Sequence, residues 1–457
     1  MSVLNTCISC YGQRPTCRSP QVQQALEQAL RTPGYRKLYA TAQNSGAPQL
    51  LDFHSLPFLT PAHIVADPLQ FATVPLSELA RVYTTSGTTG VAKLIFLSDS
   101  DVELLVSNIC HILRFAGVGR GSVLIPLLSY GPTAGAVEVV LAARRLGATV
   151  TPVSIYTPEN LLALFPLVPV THVFSLPAAL RALVLRSAET RQLLRADHLI
   201  VGGEILTRTG KELLAAGWKA TAVHEVYGSM ELFGLGHRGP NCIGFHPLPG
   251  YGLIEICDPV TRRAAGPLAV GEVIVTAVGR HAMPLIRYRI GDLAVQLDRT
   301  CPCGTSEYTF VVLGRADESF IAGGAFVFPH EIRLACQAVG ADLGVQVHSV
   351  AIRIQRDHLD RDIVGIGLTI PDAEPSPRLS ELFSEHLAKH NPDFAYACRT
   401  RAVLVRSAPP QPPGTVKLRI AVTDQRSTGL LRELRPSPHI TLDRIADLTA
   451  PTYAPSR

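Results

Sequence analysis

The chain has 457 residues but a single tryptophan, three methionines and only 6% aromatic side chains, and charged residues make up just 17% of it. With 47% hydrophobic residues this is the composition of a globular protein. Charge of one sign is scarce. The net value of +5 is small for the length, and no basic run of the kind that follows nucleic acid is present. Uninterrupted apolar runs stay well short of about 18 residues, so no membrane-spanning helix is expected. The first residues, "MSVLNTCISCYGQRPTC", lack a basic segment followed by an apolar stretch, so no secretory signal is expected and the protein is read as cytoplasmic. Ten cysteines in so long a chain are too few for a disulfide scaffold and read as buried thiols or metal ligands. Internal repeats are absent, and so is the common phosphate loop G-x-x-x-x-G-K-[ST]. The length accommodates a large core and roughly two to four domains.

What is present alternates. Residues 20–45 have helical spacing, with Pro33-Gly34 as the expected stop. From 76 to 230, apolar strand candidates at 122–128, 149–155, 172–176, 198–204 and 221–228 are separated by amphipathic segments at 134–148, 158–168, 177–195 and 207–217. That order predicts an α/β fold with a parallel sheet covered by helices and ligands near the strand ends. Residues 250–313 read as consecutive strands of a β-rich subdomain. Residues 313–329 mark a boundary, and 330–425 read as a small α+β domain with strands near 346–355, 363–370 and 400–405. The Pro-rich 407–415 is a loop, and the last 30 residues are expected to be peripheral.

One stretch stands out: "YTTSGTTGVAKLIF", residues 83–96. Thr85, Ser86, Gly87, Thr88, Thr89 and Gly90 cannot fill a core. A loop of this kind turns hydroxyls and backbone N–H groups toward one point, which suits a phosphate, and Lys93 adds a point charge. An ordinary hydroxyl-rich turn before a strand is the plainer alternative. Further along come "VYGSMELFGLG" (226–236), "MPLIRYRIGDLA" (283–294), "GRADESF" (314–320) and "PPGTVKLRIAV" (412–422). Taken singly, Tyr227 reads as a core aromatic, Asp292 as a turn cap, and Arg315 and Lys417 as surface charges.

In this order the stretches resemble the adenylate-forming superfamily of acyl-CoA synthetases and adenylation domains, in its phenylacetate–CoA ligase branch. "LPFLT", "VGGE", "CPCGT" and "GRADESFIAGGAFVFPHEI" strengthen the likeness, which spans roughly residues 50–425. The resemblance implies a large N-terminal adenylation domain, 1–314, with its β-rich part at about 240–313, and a mobile C-terminal lid, 315–457. It implies ATP-dependent activation of a carboxylic acid as acyl-AMP, with pyrophosphate release and transfer to a thiol. By this likeness Thr85–Gly90 and Lys93 hold the phosphates and Glu231 holds Mg²⁺. Gly203, Glu204, Tyr227, Gly228, Asp292 and Arg315 meet adenine and ribose, Asp317 is the hinge, and Lys417 is the adenylation lysine. Charge at the phosphates is then neutralised by positioned donors and the metal. A pocket for an aromatic acid is expected from Tyr130, Gly131, Phe174, Ser229, Met230, Phe233 and Gly234. His224 and His281 are read as structural.

Four positions depart from the branch. Gly323 and Phe326 stand where it carries Arg and Asn, Lys417 is offset from G-K-x-x-R, and Met230 replaces a hydroxyl residue. The acceptor is therefore open between coenzyme A, a carrier-protein phosphopantetheine and a nitrogen nucleophile, and a nucleotide-binding protein without catalysis is a further alternative. Neither nucleic acid nor membrane is an expected partner, and a homodimer is among the assemblies left open. Finally, Cys242 and His246 with Cys301 and Cys303 supply four soft ligands suited to a tetrahedral structural zinc, whereas Cys7 and Cys10 with Cys17 lack a fourth.

Overall fold

The computed structural model describes residues 17–43, 53–84, 93–131, 135–157, 161, 164–190, 194–248, 250–258, 261–305, 308–322, 325–357, 361–370, 376–400, 403–410, 418–425 and 439–449. Thr85–Gly90, Gly323, Lys417, Cys7 and Cys10 lie outside the described residues.

The alternating half of the chain forms one sheet. Strands Val123–Leu128, His172–Ser175, His198–Gly202 and Ala222–Tyr227 run parallel, joined at one edge by Thr149–Val150 and Val153–Ser154. Gly236–Arg238 and His246–Pro247 extend the other edge antiparallel. The sheet is covered by helices Asp99–Phe115, Ala136–Arg145, Pro177–Thr190 and Arg208–Trp218. The first of these shows how local sequence fixes an element. Ser98 caps its N-terminus, and Asp101 returns a carboxylate to the Ser98 N–H at 2.9 Å. Val102, Leu105, Val106, Ile109, Ile112 and Leu113 then bury one face at helical spacing. Asp101 also accepts from the N–H groups of His281 (2.6 Å) and Ala282 (2.8 Å), which anchors the segment leading into the "RYRIGD" strand.

A second sheet is antiparallel, with Gly252–Cys257, Val270–Ala277, Tyr288–Gln296 and Phe310–Arg315 side by side. Its pivot is Arg287, fully buried and at φ 46°. The guanidinium pairs with both oxygens of buried Glu255 (3.1 and 3.2 Å), donates to the carbonyls of Leu56 (2.8 Å) and Arg262 (3.0 Å), and lies 4.6 Å from the centre of the Phe58 ring. "LPFLT" and "IRYR", far apart in sequence, are thus in direct contact.

Beyond Arg315, a hairpin of Phe320–Ala322 and Ala325–Val327 leads into a third sheet, Ser349–Arg356, Asp362–Thr369, Val403–Ser407 and Arg419–Asp424, packed with helices Pro329–Leu343, Pro377–His390 and Pro392–Arg399. This part has its own apolar core, built on Ile332, Val350, Ile366 and Phe383.

Two expectations need correction. Pro33-Gly34 does not end the N-terminal helical region: Pro20–Leu30 stops, and Pro33 opens a second helix, Pro33–Gln43, because proline is compatible with a first helical turn. Nor is the chain end wholly peripheral. Ile440, Ile445 and Leu448 are buried. The Ile440 N–H donates to the Leu268 carbonyl (2.9 Å), and Asp447 accepts from the Arg208 N–H (3.1 Å). Between these contacts Arg444 reaches Glu331 (2.8 Å) and the Phe326 carbonyl (3.0 Å) and lies over the Phe328 ring. Apolar residues spaced through a polar tail gave little pattern to read.

Five histidines form a row on one face of the first sheet. His172 and His198 are opposite in register and stack at 4.7 Å, and His198 lies 5.5 Å from His224. Phe115 bridges His224 and His237, and His237 neighbours His246. His224 is therefore structural, as expected from sequence. Burial first, then neighbouring imidazoles, lowers His172 and His224 from 6.5 to about 4, and burial lowers His198. A histidine with a lowered native pKa leaves the unfolded chain binding more protons as pH falls from 6.5 toward 4, so the native state loses stability across that window. The thermal midpoint of the protein is expected to drop between pH 7 and pH 5, and His224→Gln to flatten that drop. Parallel profiles for the two proteins would refute the assignment.

Candidate active site

The carboxyl ends of two parallel strands stand side by side. After His198–Gly202 comes Gly203, at φ 79°, followed by Glu204, and after Ala222–Tyr227 come Gly228 and Ser229. Gly228 is required by close approach, since a Cβ there would meet the Phe233 carbonyl at 2.7 Å. These turns border a cavity of about 370 Å³ whose far wall is the second sheet. A crevice outside the ends of parallel strands is where open α/β sheets bind ligands.

On that wall, Asp292 and Arg315 are opposite each other in adjacent strands. Tyr227 donates its hydroxyl to Asp292 Oδ2 (2.9 Å), and Arg315 donates to Oδ1 (3.3 Å) and to the Ile290 carbonyl (2.8 Å). Both oxygens of Asp292 are thus fixed in direction. Burial pushes its pKa above the usual carboxylate range, while Arg315 and the Tyr227 hydroxyl oppose that rise. The Tyr227 hydroxyl is pushed up by burial and by Asp292, and so stays a donor. Its ring packs against Phe245 and Phe310. Gly291, at φ 90°, lets the Arg315 guanidinium approach, since a Cβ would lie 2.9 Å from it. Asp317 is exposed and accepts from Arg315 Nε (3.3 Å).

Also lining the cavity, Lys93 lies just before strand Leu94–Leu97 and forms an ion pair with Glu231. Tyr288 donates to Glu231 Oε1 at 2.7 Å, and Lys93 lies 3.3 Å from the same hydroxyl. Burial alone raises the Glu231 pKa, but Lys93 and Tyr288 outweigh it and hold the carboxyl below its ordinary value. Glu204 lines the cavity, accepts from the Ala178 N–H (3.3 Å) and pairs with Arg181 at 3.4 Å.

Lys93, Gly203, Glu204, Tyr227, Gly228, Ser229, Glu231, Asp292 and Arg315 therefore come together around one cavity. Tyr130, Gly131, Phe174, Met230, Phe233 and Gly234 are not in its lining. Phe174 is part of the main core, Phe233 packs over Gly135, and Tyr130 is exposed, with its hydroxyl on the Pro126 carbonyl. Sequence reasoning passed over Tyr288, although it quoted the motif that contains it. It also missed the buried set Lys211, Glu225 and Arg238, in which Lys211 pairs with Glu225 at 2.6 Å. Arg333 and Leu448 complete the wall from later in the chain, as does Leu418, next to Lys417.

The four soft ligands also meet. The candidate ligand atoms of Cys242, His246, Cys301 and Cys303 all lie within 4.8 Å of one another. His246 Nε2 is 3.3 Å from Cys303 Sγ, while its buried Nδ1 has no hydrogen-bond partner. Burial pushes the Cys242 thiol up to about 12. Three sulfurs and one imidazole at this spacing fit a tetrahedral zinc, whose bonds of about 2.0–2.3 Å draw ligands to similar separations.

Known proteins agree with this geometry. Residues 16–283, more than half of the chain, match the family described as AMP-binding enzyme. Phenylacetate-coenzyme A ligase of Thermus thermophilus is 27% identical over 320 residues, covering 68% of this chain and 72% of that protein. The enzyme of the same name from Aromatoleum evansii is 26% identical, covering 67% and 71%. Among solved structures, 2-hydroxyisobutyryl-CoA ligase in its postadenylation state has a TM-score of 0.66 at 21% identity, over 91% of this chain and 90% of that one. ATP-bound MatB from Rhodopseudomonas palustris has a TM-score of 0.53 at 18% identity, over 76% and 67%. Among the described residues no helix is long and apolar enough to cross a membrane. The chain belongs to the AMP-binding enzymes, the adenylate-forming superfamily, on its phenylacetate–CoA ligase-like branch.

Proposed function

We propose that this protein is an acid–thiol ligase that activates a carboxylic acid with ATP as acyl-AMP, releases pyrophosphate, and passes the acyl group to coenzyme A. The observation that carries this reading is the pairing of two sites in one cavity. Asp292, its oxygens aimed by Tyr227 and Arg315, is suited to accept ribose hydroxyls, and Lys93 and Glu231 are suited to phosphate and metal. The relatives named above as phenylacetate-coenzyme A ligases support an aromatic acid as the substrate.

In this reading Thr85–Gly90 and Lys93 cradle the phosphates, Glu231 is the protein ligand of Mg²⁺, and Gly203, Glu204 and Gly228 flank the adenine. Residues 1–314 form the adenylation domain and 315–457 the lid, with Asp317 at the hinge. Lys417 is the adenylation lysine, and Leu418 in the cavity wall supports that placement. Mg²⁺ supplies charge neutralisation at the phosphates when bound. The Cys242, His246, Cys301 and Cys303 cluster holds a structural zinc that ties the loop before His246–Pro247 to the loop before Phe310–Arg315.

Three measurements test these assignments. Pyrophosphate release over a panel of aryl acids is expected with ATP and Mg²⁺, and acyl-CoA only when coenzyme A is added. A panel that yields no pyrophosphate from a protein that binds ATP would leave a nucleotide-binding protein without catalysis.

Asp292→Ala is expected to weaken ATP binding on the order of a hundredfold, because hydrogen bonds to a charged group contribute about 1.5–3 kcal/mol each. Unchanged affinity in calorimetry of the folded variant would remove Asp292 from the site.

Elemental analysis of purified protein is expected to find about one zinc per chain, and Cys301→Ser to lose the zinc and unfold at a lower temperature. Metal-free protein with an equally stable Cys301→Ser variant would contradict the zinc.

A further inference from the structure

Glu231 is buried, and among the described residues the side-chain donors Lys93 and Tyr288 address the same carboxylate oxygen, Oε1. One is Lys93, the cation that the proposed function sends to the phosphates. The other, Tyr288, has no role in that reading. Tyr288 is fully buried at the first position of its strand, four residues before Asp292 and next to Arg287, whose five-way anchoring fixes the backbone there. Its hydroxyl donates to Glu231 Oε1 at 2.7 Å. A neutral donor on a rigid strand fixes one carboxylate oxygen and leaves the charge of the carboxylate intact.

We propose that Tyr288 is a positioning residue that holds Glu231 for the divalent cation, while Lys93 occupies the cation's electrostatic place until the metal and nucleotide enter. The proposal rests on the reading of Glu231 as the Mg²⁺ ligand. Entry of Mg·ATP changes the partners of both charged groups. The ammonium of Lys93 moves to phosphate oxygens, and the metal takes over the neutralisation of Glu231. Tyr288 alone keeps its contact through the exchange. Outer-shell donors to a metal's carboxylate ligand are typically worth about 10–100-fold in metal affinity. The unused partner, the ring packing of Tyr288 in the core, is retained in phenylalanine.

The test is the Mg²⁺ dissociation constant of the protein with ATP bound, read by calorimetry without the acid, beside the free Mg²⁺ concentration that half-saturates pyrophosphate release at saturating ATP and acid. For Tyr288→Phe it is expected to rise by about 10–100-fold, with kcat at saturating Mg²⁺ changed by roughly threefold or less. A purely structural role would lower the thermal midpoint and leave the Mg²⁺ dependence where it was, and that result overturns the proposal. Glu231→Asp keeps the charge but withdraws the carboxylate from the Tyr288 hydroxyl, and is expected to show the same rise. It decides the matter if Tyr288→Phe does not fold, since a wild-type Mg²⁺ dependence in Glu231→Asp would show that the position of the carboxylate is immaterial. Glu231→Ala, measured alongside, separates the two levels. If it leaves the Mg²⁺ dependence unchanged, Glu231 is not the metal ligand and the underlying reading fails. If it shifts the dependence and Tyr288→Phe does not, only the role of Tyr288 fails.

Discussion

A fully dehydrated guanidinium is the constraint on which the site depends. Arg287 has no water to satisfy its N–H groups, so Glu255 and the carbonyls of Leu56 and Arg262 must all be in place at once. Burying such a charge costs several kcal/mol unless every partner is present. The contacts therefore act as a set, joining the N-terminal segment, two strands of the second sheet and a turn. The next residue is Tyr288, and four positions later comes Asp292. Fixing Arg287 therefore fixes the start of the strand that carries Tyr288, Ile290 and Asp292. The precision of the cavity is inherited from an ion pair that does not line it.

Charge inside the cavity is balanced before any ligand arrives. Lys93 answers Glu231, Arg315 answers Asp292, and Lys211 answers Glu225. In the proposed reading, the first two pairs are the ones a metal and a nucleotide exchange for their own contacts, which avoids dehydrating bare charges.

Much of the architecture was legible because it is written locally. The alternation between 122 and 228 gave the parallel strands nearly residue by residue, and the cavity lies where two of them end, at Gly203 and Gly228. The cysteine and histidine pairs could be read because each pair is short in sequence, with only the meeting of the two pairs left to the fold. What escaped was set by register or distant packing. The row of histidines depends on which residues of neighbouring strands lie opposite each other, and nothing within a single strand records that. The partner of the Tyr288 hydroxyl, Glu231, lies 57 residues away in sequence. Of the residues expected to form an acid pocket, Tyr130, Gly131, Phe174, Met230, Phe233 and Gly234 do not line the described cavity: Phe233 covers Gly135, and Ile112 packs on Gly234.

The tail at 439–449 has a mechanical consequence. The chain leaves the larger body once, through 315–319, and comes back to it through the contacts of Ile440 and Asp447, gripping the smaller body with Arg444 on the way. A part held only through its linker would swing and twist freely. Here the returning segment is joined by Phe328, buried in one core cluster with Leu313, and by the Thr207–Gln337 hydrogen bond (3.0 Å). The smaller body is therefore seated against the larger like a drawer in its frame, at several separate places along one face.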